Sequence, residues 1–454
     1  MKLNNLVILV CITCVKGFVS QKNTDAQDVF GDFGKPAFLT TYIENHDIEG
    51  ARRASAVPPF LEDVESYAGF FTVNKTYNSN IYFWFFPARE DKENAPVVVW
   101  LQGGPGASSL YGLFIENGVY CINQTGSLEL RTVYWSKIAN VIYIDNPVGT
   151  GFSFTDSEQG YATEQAGIGK DLYNMIDQFF LVFPEYRKNN FYIFGESYGG
   201  KYAPSMAYAI HTNNLISDRK IKLKGIGIGN GFTDPPNMML YDEYLYNIGL
   251  IDEKGKNIYK QHQNLILDAY KNGLYEKAGI QFWNMTKCVF YNETGFTFSF
   301  NFLHYKDDLM NGDIGKFLSQ KYVRRGLHVG DIPFLFNNTV VIQYLLADTL
   351  QSVVPWLETL LENYRVLVYS GQLDIICAYP LTVNYLKKLE WSGAQEYKNA
   401  KREKWFVDGE LAGYVKQAKG LTEVLVRNSG HMVPQDQPTR ALILLKKFIF
   451  NQPF

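Results

Sequence analysis

Phe191-Tyr-Ile-Phe-Gly195-Glu196-Ser197-Tyr198-Gly199-Gly200-Lys-Tyr202 is the stretch whose reading decides the fold. An apolar run gives way to Gly-x-Ser-x-Gly, which opens a segment of helical pattern. A serine presented on a sharp turn between strand and helix needs small flanking residues, because the turn passes close to other backbone. Gly-x-Ser-x-Gly alone is a weak signal, but in this context it marks Ser197 as a nucleophile. Further short runs lie at Ile81 to Phe86, Val97 to Leu101, Val141 to Ile144, Ile226 to Ile228, Val366 to Tyr369 and Val424 to Val426. The later ones do not alternate, as strands buried on both faces of a mostly parallel sheet require. Between them, Ile168, Leu172, Ile176, Phe179 and Phe180 share a helical face ending before Pro184, and Pro438 to Phe450 predicts a closing helix. The alternation reads as an α/β fold, mostly parallel with helices on both faces.

The rhythm breaks between Pro235 and Val340, where Lys, Asn and aromatic residues dominate. A helix is predicted from Asp252 to Tyr275, followed by irregular stretches such as Phe296-Thr-Phe-Ser-Phe300. This segment, 235–340, reads as an insertion capping the C-terminal edge of the sheet, with 66–234 and 341–454 as the core. The apolar run Phe296 to Phe302 would then overhang Ser197 and dock apolar side chains of a substrate, while Tyr82 to Phe86 belongs to the core.

A serine hydroxyl needs a base, and of six His only His431 follows a late strand, in Asn428-Ser-Gly-His-Met-Val-Pro434. The orienting carboxylate should also stand at a strand end, and Asp374 does, in Tyr369-Ser-Gly-Gln-Leu-Asp374. The order Ser197, Asp374, His431 is that of α/β-hydrolases. Val97 to Leu101 runs into Gln102-Gly-Gly104-Pro-Gly106, a turn able to aim the Gly104 N–H at a developing oxyanion beside that of Tyr198. No Gly-Lys-Ser/Thr follows it, so a phosphate loop is excluded; Gly225 to Gly231 lacks dinucleotide-binding spacing and reads as a glycine-rich strand end. There is no His-Glu-x-x-His, and neither a metal nor another cofactor is expected.

The 454 residues carry 46% hydrophobic and 20% charged side chains, which excludes a disordered or collagen-like chain. A net charge of −3 leaves no basic excess for nucleic acid. Aromatics reach 15%, enough for a heavy core or for aromatic-lined clefts. Lys2, the apolar run Leu6 to Val15 and the small residues Gly17 and Ser20 read as a signal peptide over 1–20, too short to span a bilayer; no other stretch is a membrane span. Residues 21–65, with Arg52-Arg53, read as a propeptide or an ordered arm. Secretory entry makes Asn74, Asn123, Asn284, Asn292 and Asn337 glycosylation candidates, each in Asn-x-Thr. Past the leader, Cys121, Cys288 and Cys377 remain, an odd count that allows at most one internal bridge.

Trp100-Leu-Gln-Gly-Gly-Pro-Gly, Asp145-Asn-Pro-Val-Gly-Thr-Gly-Phe-Ser, Gly195-Glu-Ser-Tyr-Gly-Gly-Lys-Tyr, Gly229-Asn-Gly, Gly371-Gln-Leu-Asp and Gly430-His-Met-Val-Pro together resemble the serine carboxypeptidases. The resemblance runs from Ser66 to the C-terminus and is nearest the vitellogenic-like and venom branch. It implies an α/β-hydrolase fold and an exopeptidase acting on peptide or protein C-termini, secreted or lysosomal, with a homodimer allowed. Gln102 stands where the family's amide side chain meets the substrate carboxylate, one methylene longer than the usual Asn, and Glu196 and Glu116 match its carboxyl pair. Two such carboxyls repel unless they share protons, so the resemblance implies hydrolysis best in acid. Cys377 matches a free thiol near the substrate pocket, so the resemblance leaves Cys121 and Cys288 as the expected bridge; Met432 matches a residue lining the leaving-group pocket, and Ala107 replaces a disulfide cysteine. An acyltransferase or esterase on the same scaffold, or a non-catalytic storage or binding protein, are the alternatives.

Overall fold

The computed structural model describes residues 32–123, 125–307 and 313–454; the leader read over 1–20 lies outside them. Among the described residues, eleven strands form one sheet: β1 (Ala56–Val57), β2 (Ser66–Asn74), β3 (Ser79–Phe86), β4 (Val97–Leu101), β7 (Asn140–Ile144), β8 (Phe191–Glu196), β9 (Leu223–Gly229), β10 (Arg365–Gly371), β11 (Glu403–Val407), β12 (Glu410–Ala418) and β13 (Leu421–Val426). Two more, β5 (Tyr120–Ile122) and β6 (Leu128–Leu130), make a separate hairpin. The sheet order is β1-β2-β3-β7-β4-β8-β9-β10-β13-β12-β11. From β7 to β13 every neighbouring pair is parallel, and both flanks are antiparallel.

The central strands are apolar on both sides because each feeds two cores. Val97, Val99, Leu101, Phe191 and Ile193 point into one, with Leu172, Phe179 and Met206 from the helices Gln165–Val182 and Gly199–Ile216. Val98, Trp100, Tyr192 and Phe194 point into the other, with Leu113 and Phe114 from a wide helical turn, Gly112–Asn117, and Leu444 and Phe448 from the helix Pro438–Ile449. Such two-sided burial is what a parallel sheet needs, and it makes period-2 alternation invisible. Tyr82 to Phe86 is buried throughout, as the sequence predicts, and Phe85 packs edge-on against Phe179.

Between β9 and β10 the chain is helical, including Tyr241–Asn247, Glu253–Lys271 and Tyr275–Asn284. The helix expected from Asp252 to Tyr275 stops at Lys271, because Gly273 turns left-handed at φ +71° before the next helix begins. Upstream of β2, the helices Leu39–Glu44 and Ile48–Ser55 pack onto the sheet edge, and Leu39 and Ala51 are fully buried. Arg52 and Arg53 lie in the second of these, where Arg52 pairs with Glu185.

The expected Cys121–Cys288 bridge is not formed; Cys121 carries a free thiol. The cause is topological. Cys121 lies on the hairpin whose neighbours Tyr120 and Ile122 enter one core, while Met285 and Val289, flanking Cys288, enter the core across the sheet.

Candidate active site

Six parallel strands present their carboxyl ends along one edge, where open α/β sheets bind ligands. Ser197 follows β8 at φ +60°, a left-handed conformation that costs a non-glycine residue about 1–3 kcal/mol. Surrounding structure holds it there: its N–H donates to the Gly229 carbonyl at 3.1 Å, and its own carbonyl accepts from Phe232 at 2.8 Å. A Cβ on Gly195 would stand 2.1 Å from the Gly199 oxygen, and one on Gly199 2.5 Å from the Leu101 oxygen, so the flanking positions admit only glycine. Within Phe191 to Gly200 every residue is buried except Ser197, which is partly exposed. The turn after β4 lies directly against it, for a Cβ on Gly103 would meet the Tyr198 nitrogen at 2.5 Å and Ser197 Cβ at 2.6 Å.

Asp374, after β10, is fully buried. Its Oδ2 accepts from Asn230 Nδ2 at 2.7 Å and lies 2.8 Å from His431 Nδ1, and its Oδ1 accepts from the Ile376 N–H at 3.0 Å. A carboxylate so placed requires the proton of His431 on Nδ1, which leaves a lone pair on Nε2. That Nε2 is buried and makes no hydrogen bond, to Ser197 or to any other group; such bonds commonly tighten only when substrate arrives. Cys377 is also here: donor atoms of Asp374, Cys377 and His431 lie within 4.8 Å of one another. They would fit around a soft cation, but the Asp374–His431 hydrogen bond already occupies two of the three. Burial pushes the Cys377 thiol well up, with Asp374 and Glu196 adding to the effect. Met432 is buried immediately after His431.

The remaining predicted residues form an acid cluster. Trp100 Nε1–H donates to Gln102 Oε1 at 2.8 Å, which turns the amide nitrogen toward Glu116 Oε1 at 3.1 Å and Glu196 Oε1 at 2.9 Å. Both carboxyls are buried, and both face the one Gln102 amide nitrogen. Burial pushes Glu116 up to about 7. Burial, then the Glu116 charge, raises Glu196 well beyond the usual carboxylate range. The second oxygen of each is buried without a partner, so protonated they offer O–H donors in a dry site.

Three residues make contacts that the sequence reading does not assign. Asn230 is one: its Oδ1 also accepts from the Gly371 N–H at 3.1 Å, tying β9 to the Asp374 loop. An amide between two glycines at a strand's carboxyl end was the available signal. Tyr244, whose hydroxyl donates to the Asp374 carbonyl at 2.7 Å, comes from the segment between β9 and β10 and leaves no local signature; Phe300, within the aromatic run expected to overhang Ser197, stacks on His431.

Comparison with known proteins gives the family. Residues 58–451 match the family described as serine carboxypeptidase. The chain is 49% identical to the venom serine carboxypeptidase of Apis mellifera, over 93% of this chain and 92% of that protein. It is 46% identical to the vitellogenic carboxypeptidase of Aedes aegypti, over 92% and 90%. With the probable serine carboxypeptidase CPVL of Homo sapiens it shares 45% over 99% and 96%. Among solved structures, the prohormone-processing carboxypeptidase Kex1(delta)p of Saccharomyces cerevisiae has the same fold, with a TM-score of 0.74 and 24% identity over 86% of this chain and 91% of that one. No helix among the described residues is long and apolar enough to cross a membrane. With the family match spanning most of the sequence, the chain belongs to the serine carboxypeptidase family and is a serine exopeptidase acting on peptide C-termini.

Proposed function

We propose that Ser197, His431 and Asp374 are the nucleophile, the general base and its orienting carboxylate. The observation that carries this reading is the 2.8 Å Asp374–His431 contact beside a serine held in a left-handed turn. Ser197 Oγ attacks the carbonyl carbon of the last peptide bond and yields its proton to His431 Nε2. The Gly104 and Tyr198 N–H groups take the oxyanion; the departing amine takes the proton, and water then hydrolyses the acyl-enzyme. The free carboxylate of the substrate meets Gln102, Glu116 and Glu196, and the two glutamates can donate to it only when protonated, which sets hydrolysis at acidic pH. Cys377 and Met432 line the adjoining substrate pocket.

The wider reading has a leader at 1–20, an arm at 21–65, a core at 66–234 and 341–454, and a cap at 235–340. It places the protein in the secretory pathway, supported by the Asn-x-Thr sites, of which Asn292 and Asn337 are exposed, and by a relative named for venom. N-blocked dipeptides incubated from pH 4 to 8 test the chemistry. Amino acid should be released fastest in acid, and Ser197→Ala should lose at least about 10⁴-fold in kcat. Equal release by both proteins rejects the assignment; ester cleavage without peptide cleavage at any pH favours an esterase.

A further inference from the structure

Residues 299–302 of the insertion pass between the Asp374 and His431 loops and are hydrogen-bonded to both. The Ser299 carbonyl accepts from the Ile376 N–H at 3.1 Å, and the Phe302 N–H donates to the Leu373 carbonyl at 3.0 Å, which brackets Asp374. On the other side, the Phe300 carbonyl accepts from the His431 N–H at 2.7 Å. Asp436 Oδ2 accepts from the Gly430 N–H at 2.6 Å and from Asn301 Nδ2 at 3.4 Å, a second tie to the same loop. The approach is so close that a Cβ on Gly430 would stand 2.3 Å from the Phe300 oxygen and 2.8 Å from Asn301 Cβ. The Phe300 ring lies over the imidazole, centroids 4.9 Å apart and planes 14° from parallel, and is backed edge-on by Phe298 at 5.3 Å.

From this geometry we propose that Phe300 is a positioning residue for the general base. Asp374 fixes one nitrogen of His431 but leaves the ring free to tilt about that bond. A flat aromatic surface against one face removes the tilt and keeps water from that face, so Nε2 stays aimed at the serine. Peptide hydrolysis needs both this aim and substrate docking; the role proposed for Phe300 concerns the aim alone. It rests on the reading of Ser197 and His431 given above.

A small phosphonofluoridate separates the two. Ser197 Oγ attacks its phosphorus, a P–O bond forms as P–F breaks, fluoride leaves, and the hydroxyl proton passes to His431. No peptide side chain or C-terminal carboxylate takes part. In Phe300→Leu, the phosphonylation rate and the kcat for an N-blocked dipeptide should both fall about tenfold, with KM within twofold. Phe300→Tyr, which keeps the flat ring, should restore both. A raised KM with unchanged phosphonylation would make Phe300 a substrate-docking residue and overturn the proposal, as would unchanged rates throughout. Should Phe300→Tyr be as slow as Phe300→Leu, with matching urea midpoints for all three proteins, the stacking argument also fails. If the unaltered protein is not phosphonylated, or Ser197→Ala is labelled equally, the nucleophile assignment itself falls, an outcome distinct from the others.

Discussion

Gln102 has two amide hydrogens, and in the free protein both are directed at glutamates, because the Trp100 indole holds its carbonyl side. On the proposed reading, a substrate carboxylate would meet this cluster chiefly through the protons on Glu116 and Glu196. Since burial raises Glu116 to about 7, it is neutral in acid and ionises as the pH passes that value, putting a negative charge where the substrate carboxylate is proposed to bind. KM for a dipeptide with a free C-terminus should rise severalfold between pH 6 and 8, and that of its amide should not. Glu116→Gln, neutral at every pH, should flatten the rise; KM profiles that superimpose for the two proteins would remove Glu116 from carboxylate recognition. Asn230 acts one step further back, as a donor to Asp374 at 2.7 Å. Asn230→Gly tolerates the φ of +43° at that position while deleting the donor, and should lower kcat about ten- to a hundredfold with little change in KM. A kcat within twofold would show that His431 and the Ile376 N–H suffice to hold the carboxylate.

The helix Gly199–Ile216 starts from the serine turn, and its first turn is anchored by charge as well as by packing. Lys201 and Asp348 pair at 3.0 Å, both almost wholly buried, and Asp348 Oδ2 also accepts from the Tyr198 hydroxyl at 2.6 Å and Gln165 Nε2 at 2.7 Å. Removing one member of such a pair strands the other charge. Asp348→Ala should lose about 3–5 kcal/mol in urea unfolding, and a loss below about 1 kcal/mol would mean that Lys201 finds other partners. Elements of this kind divide by how much of their cause is local. The central strands were legible because each is a compact apolar run, and Ser197, Asp374 and His431 because each stands at the end of one. Strands β2 and β12 were not, since Gly69 and Gly413 interrupt them and the antiparallel flank carries the half-buried Lys416 and the exposed Gln417. Phe300 defeated the reading differently. Its aromatic run was noticed and given to substrate docking, but its contact with His431, 131 positions later, depends on how the insertion folds back.

At the scale of the molecule, the aromatic excess divides between the two cores, and the site is built where deep burial meets carboxyl groups. Glu116 and Asp145 are each raised to about 7 and Asp171 to about 6, with burial the largest cause in all three, and Glu196 goes well above the ordinary value. In the unfolded chain these groups titrate near ~4. The folded protein therefore binds their protons more tightly than the unfolded one. The stability linked to them is fully present below about pH 4 and is lost progressively as the pH rises through about 7. The urea midpoint should accordingly fall from pH 5 to pH 8, the opposite of what carboxylates held in ion pairs would give. Glu116→Gln removes one titration and relieves part of the repulsion on Glu196, so its midpoint should fall less steeply over the same range. A midpoint that rises across this window, or slopes that coincide for the two proteins, would mean that water or counter-charges reach the cluster and that its burial does not govern the pH response of the fold.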